Sequence, residues 1–322
     1  MADGLAVDEV VWGDRVAGAL LGTFAGDALG AVWEGAGPVA TRTAADRLTW
    51  LPSSTELTYT DDTQLALALA AHLLDHPDVE PDALAAVFLA HHEAHRGYGS
   101  GMRTIVEQWR HRIDVATAAT AAFPDGSYGN GAAMRVAPVG VRHPDDVARR
   151  EEAARRQAMV THVHPVGIDA AVVQADAVAT AARSGTFTVE DVSALAERAR
   201  TRQFGDAVAL AAEWVGRWHD DTSLVLADVA ATLGTQVLAD HSVPAALWCA
   251  AVADDLPGAV ELALGLGGDA DTIAAMAGAV HGAAGGLHAV PHDWLLRFED
   301  GPRGVTWALD LATRLAAAVS VD

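Results

Sequence analysis

The sequence contains no lysine. All 21 basic residues are arginine, set against 43 acidic residues, for a formal net charge of −22. A surface this acidic repels polyanions, which excludes general nucleic-acid binding. Cysteine occurs once, at Cys249 in the apolar run Ala245–Ala250. That excludes a disulfide framework, and the thiol reads as buried and structural. Every apolar run is broken by charge, histidine or glycine before it is long enough to cross a membrane, and the acidic start Met1-Ala2-Asp3-Gly4 has no leader pattern. These absences point to a cytoplasmic protein without a membrane partner. Also missing are alternating strand patterns, a repeat period of about 20–50 residues, and a linker-like segment that would divide the 322 residues.

What is present is helix. The chain is 51% hydrophobic and rich in alanine, enough for a sizeable core of helices. Residues 10–32 carry apolar side chains at helical spacing, interrupted by Gly18, Gly22, Ala25 and Gly26. Several glycines on one helix imply close approach of another backbone. Helices are also predicted over 64–74, 82–95, 102–112, from 144 onward, and over 167–183, 188–202, 205–218, 222–233, 243–254, 257–266, 272–286 and 305–319. The expectation is an all-α fold: a single orthogonal multi-helix domain spanning residues 1–322.

Two oxygen-rich clusters stand out. Gly267-Gly268-Asp269-Ala270-Asp271-Thr272 sets two carboxylates and a hydroxyl behind flexible glycines, and Thr60-Asp61-Asp62-Thr63 opens a helix, with Thr60 a candidate N-cap. Hard cations take such oxygens, and together the clusters supply four carboxylates, enough for two metals. Each alone also reads as a helix start that favours acids. Asp220-Asp221-Thr222 repeats the second triplet and reads as a cap. Gly267-Gly268-Asp269 is not a dinucleotide turn, because no strand precedes it, and it lacks the remaining ligands of an EF-hand.

Other features admit two readings each. Ser127-Tyr128-Gly129-Asn130-Gly131 can converge backbone N–H groups on a phosphate, or be an ordinary glycine-rich loop. Arg135 can pair with phosphate or with an acid. Glu34, after Trp33, can be a general base or acid, or a solvated helix-end carboxylate. His162 and His164 lack the third soft ligand of a zinc site and read as core or capping residues.

In this order, the motifs resemble the ADP-ribosylglycohydrolase family. The resemblance runs from Gly18-Ala19-Leu20-Leu21-Gly22, Gly26-Asp27-Ala28-Leu29-Gly30 and Glu34, through Thr60–Thr63, Gly129-Asn130-Gly131 with Met134-Arg135 and Pro138, and Thr161-His162 with Pro165, to Gly267–Thr272 and Gly278, covering about residues 12–287. It implies an all-α fold with two divalent cations, Mg2+ or Mn2+, in a central cleft. Their implied ligands are Thr60, Asp61, Asp62, Asp269, Asp271 and Thr272. Glu34 matches the family glutamate at the metals and scissile bond, so Glu34, Asp61, Asp62 and Asp269 are the implied catalytic residues. Tyr98, Gly99, Ser127, Tyr128, Gly129, Asn130, Gly131 and His162, with Glu34, are the implied ADP-ribose contacts.

The implied reaction is hydrolysis at C1″ of the distal ribose, releasing ADP-ribose from a modified acceptor by way of an oxocarbenium-like state. The family's arginine-specific branch has an aspartate beside a glycine where this chain reads Arg96-Gly97-Tyr98-Gly99-Ser100-Gly101, without an acid. With Ser127-Tyr128 ahead of Gly129, this leans to O-linked ADP-ribose, on serine or as O-acetyl-ADP-ribose. Arginine-linked hydrolysis, a non-catalytic ADP-ribose-binding relative and a helical interaction protein are the alternatives. A monomer is the family-like expectation.

Overall fold

The computed structural model describes the backbone of residues 2–319 and the side chains of residues 11–319. The side chains of the leader expectation at Met1–Gly4 lie outside the described residues. In chain order the first helices are α1 (Ala2–Gly30), α2 (Ala45–Thr49), α3 (Asp61–Asp75), α4 (Pro81–His91), α5 (Ser100–Arg110) and α6 (Val115–Ala118). Next come α7 (Gly131–Met134), α8 (Ala137–Arg142), α9 (Val147–Met159), α10 (Pro165–Ser184), α11 (Val189–Arg198) and α12 (Arg202–Asp220). The chain closes with α13 (Leu226–Leu233), α14 (Ala239–Val252), α15 (Leu256–Leu266), α16 (Ala270–Gly285), α17 (His292–Leu295) and α18 (Val305–Val319). Among the described residues there is no strand, only the isolated bridge pairs Leu57–Phe298 and Gly129–Leu238. The fold is all-α and a single domain.

The centre is the crossing of α1 and α16. A methyl group placed on Gly22 would overlap the backbone carbonyl of Gly278, and one on Gly278 would overlap that of Gly22. Gly18 and Gly282 stand in the same relation, and a methyl on Gly26 or Gly30 would overlap the backbone of Ala274 or Asp271. The row of small residues every fourth position lets the helices touch backbone to backbone, the arrangement that i±4 ridges favour. The apolar flanks of the pair, including Leu20, Phe24, Ile273 and Met276, are buried.

This burial also explains the long apolar run of α1. Val11–Trp33 has the length and composition of a membrane span, contrary to the sequence expectation, but 83% of its apolar window is buried inside the fold. Cys249 is fully buried in α14, and burial pushes its thiol up out of the reactive range.

Several boundaries differ from expectation. α2, α6 and α17 are too short to show a period. α14 begins at Ala239 and continues through Pro244, which only removes one helical N–H. Asp220-Asp221 does not open a helix. Asp220 ends α12, and the Asp221 carboxylate accepts from the N–H and hydroxyl of Ser223, closing a turn.

Candidate active site

The first acidic cluster is positioned by a carboxylate from another helix. Thr60 precedes α3 as expected, but its hydroxyl does not cap that helix. It donates to Asp27 Oδ1 at 2.8 Å, and the Thr60 N–H also donates to Asp27 at 3.0 Å. The Thr63 N–H donates to Asp27 Oδ2 at 3.0 Å. Asp27, fully buried on α1, therefore serves as the N-terminal cap of α3. On the other side, Arg96 donates to the Tyr59 carbonyl at 2.8 Å and to Glu299 at 2.6 Å.

The second cluster is set by a tight turn. Gly267 and Gly268 have φ of +67° and +71°, in the left-handed region that favours glycine. Gly35 N–H donates to the Gly268 carbonyl at 2.7 Å and Gly268 N–H to the Ala36 carbonyl at 2.9 Å, which fastens the segment after Glu34 to this turn. Asp269 then precedes α16, with Asp271 and Thr272 in its first turn. The Asn130 side-chain amide bridges Asp269 Oδ2 and the Ser242 hydroxyl.

These segments meet in one cavity of about 340 Å³. Glu34, Thr60, Asp61, Asp62, Asp269, Asp271 and Thr272 line it, and so do Gly99, Ser127, Gly129, Asn130, Gly131 and His162. Sequence reasoning missed the apolar wall of Leu65, Met102, Ile105, Phe123, Met134 and Val237, and the positioning role of Asp27. Two expected contacts are not brought to the cavity. Tyr98 is buried with its hydroxyl donating to Gln64 at 2.6 Å. Tyr128 packs its ring against His164.

The expected anion cradle is also partly engaged. The Asn130 N–H donates to the Val237 carbonyl at 2.9 Å and the Gly129 N–H to the Ser127 hydroxyl at 3.3 Å. Arg135 lines the cavity beside this loop, but its hydrogen bonds go to neutral partners rather than to an acid. It is fully buried, stacks over Phe88, and donates to Gln157 and Thr161.

The cluster is electrostatically frustrated. Burial first, and then neighbouring carboxylates, push Asp61 up to about 7 and Asp271 up to about 8. Burial likewise raises Asp269 to about 6, and holds Asp62 well above the usual carboxylate range. Asp62 Oδ1 is buried without a hydrogen-bond partner. Among the described residues, no three acidic, histidine or cysteine side chains are arranged to hold an ion as they stand. The donor chemistry nevertheless fits a hard divalent cation: carboxylate and hydroxyl oxygens, an unpartnered buried oxygen, and crowded negative charge.

The family model of the ADP-ribosylglycohydrolases matches residues 8–322. The chain belongs to this family. The ADP-ribosylglycohydrolase fold is similar to a solved structure titled ADP-ribosylglycohydrolase-related protein complex, with TM-score 0.71 and 28% identity over 96% of this chain and 99% of that one. ADP-ribosylhydrolase ARH3 of Danio rerio is 34% identical over 94% of this chain and 90% of its own length. The Homo sapiens ADP-ribosylhydrolase ARH3 is 31% identical over 87% of this chain and 88% of its own. As a member of the ADP-ribosylglycohydrolases, the protein is a hydrolase acting on ADP-ribosylated substrates. The family is generally dependent on divalent metal ions.

Proposed function

We propose that this ADP-ribosylglycohydrolase acts as a monomer in the cytoplasm and releases ADP-ribose from an O-linked acceptor, serine or an O-acetyl ester. The reading rests on one observation: Glu34, both acidic clusters, the glycine loop and His162 share a single cavity. Its apolar wall suits an adenine ring, and the Ser127–Gly131 loop with His162 suits the diphosphate. Thr60, Asp61, Asp62, Asp269, Asp271 and Thr272 would hold two divalent cations, magnesium or manganese. When bound, such cations would fix the ribose diol and offset negative charge at the acidic end.

Glu34, which lines the cavity, would take a proton from the attacking water. The water oxygen bonds to C1″ as the C1″–O bond to the acceptor breaks. A serine acceptor takes up the proton that Glu34 accepted and leaves as its hydroxyl, whereas acetate leaves as the anion and Glu34 gives its proton to solvent; ADP-ribose leaves with a new C1″ hydroxyl. Asp27 and Asn130 hold Thr60 and Asp269 in place and take no part in proton transfer.

The acceptor assignment rests on what the rim lacks. Among the described residues, every carboxylate lining the cavity is Glu34 or belongs to the two clusters, and the 97–101 loop contributes only glycines and Ser100. No acid is left over to grip a guanidinium. Serine-linked and arginine-linked ADP-ribosyl peptides, incubated with magnesium and then with chelator, test the reading. Release from the serine peptide with magnesium alone is expected. Release only from the arginine peptide would overturn the acceptor assignment, and release undiminished by chelator would overturn the metal requirement.

A further inference from the structure

His162 lies at the cavity wall, and its hydrogen bonds determine which ring nitrogen carries the proton. Arg135 Nη2 donates to Thr161 Oγ1 at 2.8 Å, and Thr161 Oγ1 lies 2.7 Å from His162 Nδ1. A guanidinium can only donate, so Thr161 is the acceptor in the first bond. Its own O–H remains to be placed, and His162 Nδ1 is the one acceptor within bonding distance of it among the described residues. A nitrogen that accepts carries no proton. The ring is neutral, because removal from water and the charge of Arg135 push its pKa down to about 3. The single proton then sits on Nε2.

The ring's orientation gives that proton a target. A methyl on Gly131 would come within 3.1 Å of His162 Nε2, and one on Gly129 within 3.8 Å. Both glycines line the cavity with His162. The Nε2 edge therefore lies along the glycine loop, and Nε2 has no hydrogen-bond partner among the described residues. The ring is anchored at one nitrogen and open at the other.

We propose that Arg135 and Thr161 are positioning residues that lock His162 as the Nε2–H tautomer, so that it presents a neutral hydrogen-bond donor to an anionic oxygen of the ligand. The lock gives the buried Arg135, whose guanidinium reaches Thr161 at the cavity wall, a role in setting the polarity of the His162 ring. It also makes the hydroxyl of Thr161 a necessary link, because only a group that accepts from arginine and donates to imidazole can pass the polarity on. The role in ligand binding rests on the function proposed above, whereas the tautomer does not.

The test is two-bond 1H–15N NMR of 15N-histidine-labelled protein without ligand, with the His162 signal assigned by its loss in His162→Gln. The wild type should show a protonated Nε2 and an unprotonated Nδ1. Thr161→Val, nearly isosteric, should shift the ring toward a tautomer mixture, and Thr161→Ser should restore the wild-type pattern. By calorimetry at fixed magnesium concentration, ADP-ribose should bind about tenfold more weakly to Thr161→Val and near wild-type strength to Thr161→Ser. A wild-type ring protonated at Nδ1, or a Thr161→Val ring unchanged from wild type, overturns the lock. The expected tautomers in a protein that binds no ADP-ribose would uphold the lock and overturn the functional reading instead.

Discussion

The Asp27 carboxylate holds Thr60 twice, through the backbone N–H at 3.0 Å and through the hydroxyl at 2.8 Å. With the Thr63 N–H it receives three donors in a site closed to water. Asp27→Asn keeps the shape but turns an N–H2 toward a donor. Stability should fall by about 1–3 kcal/mol in urea unfolding. The magnesium concentration for half-maximal activity should rise, because Thr60 and the first turn of α3 are no longer held. Unchanged values for both would show that the cap is incidental.

Glu34 is exposed and lines the cavity, and the proposed function gives it the proton of the attacking water. Glu34→Gln should lower kcat by about a hundredfold or more while leaving ADP-ribose affinity within a few-fold. Full turnover by this variant would remove Glu34 from the mechanism.

The glycine crossing predicts a contrast between two similar substitutions. Gly22→Ala forces a methyl into the Gly278 carbonyl and should cost about 1–3 kcal/mol or more. Gly37→Ala, where a methyl meets nothing within 4 Å, should change stability by no more than about 0.5 kcal/mol. Denaturant midpoints of the two variants give the comparison, and equal effects would contradict backbone contact at the crossing.

Acid sensitivity should arise in part from His72 on α3. Burial first, and then the stacked His76, lower its pKa from 6.5 to about 4, while Asp75 opposes the shift. Its Nε2 accepts from the Glu80 N–H at 3.2 Å. In the unfolded chain the ring takes up a proton near pH 6.5, and in the folded chain only near pH 4. Its contribution to stability is complete above about pH 6.5 and is lost as pH falls toward 4. His72→Gln should flatten the decline of the melting temperature across that window, as measured by calorimetry against wild type.

Much of the site was legible because its parts are written in unusual residue types. Glycines beside aspartates are poor material for an ordinary helical core, so Thr60–Thr63 and Gly267–Thr272 stood out, and the cavity brings them together. Phe123, Met102 and Ile105 were illegible because an apolar residue facing a ligand has the same pattern as one facing a core. Asp27 was quoted within a motif, but a cap supplied from 33 residues away leaves no local signal. Arg135 was read as a partner for phosphate or an acid because sequence does not show that Gln157 and Thr161 wait for it in the core. The long helices followed their apolar period, whereas the four- and five-residue helices α2, α6, α7 and α17 have too few turns to display one.

In an ordinary core, a substitution that is too large can be rescued by trimming its neighbour. Where Gly18 and Gly22 meet Gly282 and Gly278, no such rescue exists, because the neighbour is already glycine. A variant chain can relieve the clash only by moving a whole helix. α1 leads to Glu34 at one end, and α16 starts beside Asp269. The displacement would therefore arrive in the cavity as a mismatch between its two sides. Inherited changes along this crossing should be pruned for lost activity in proteins that still fold.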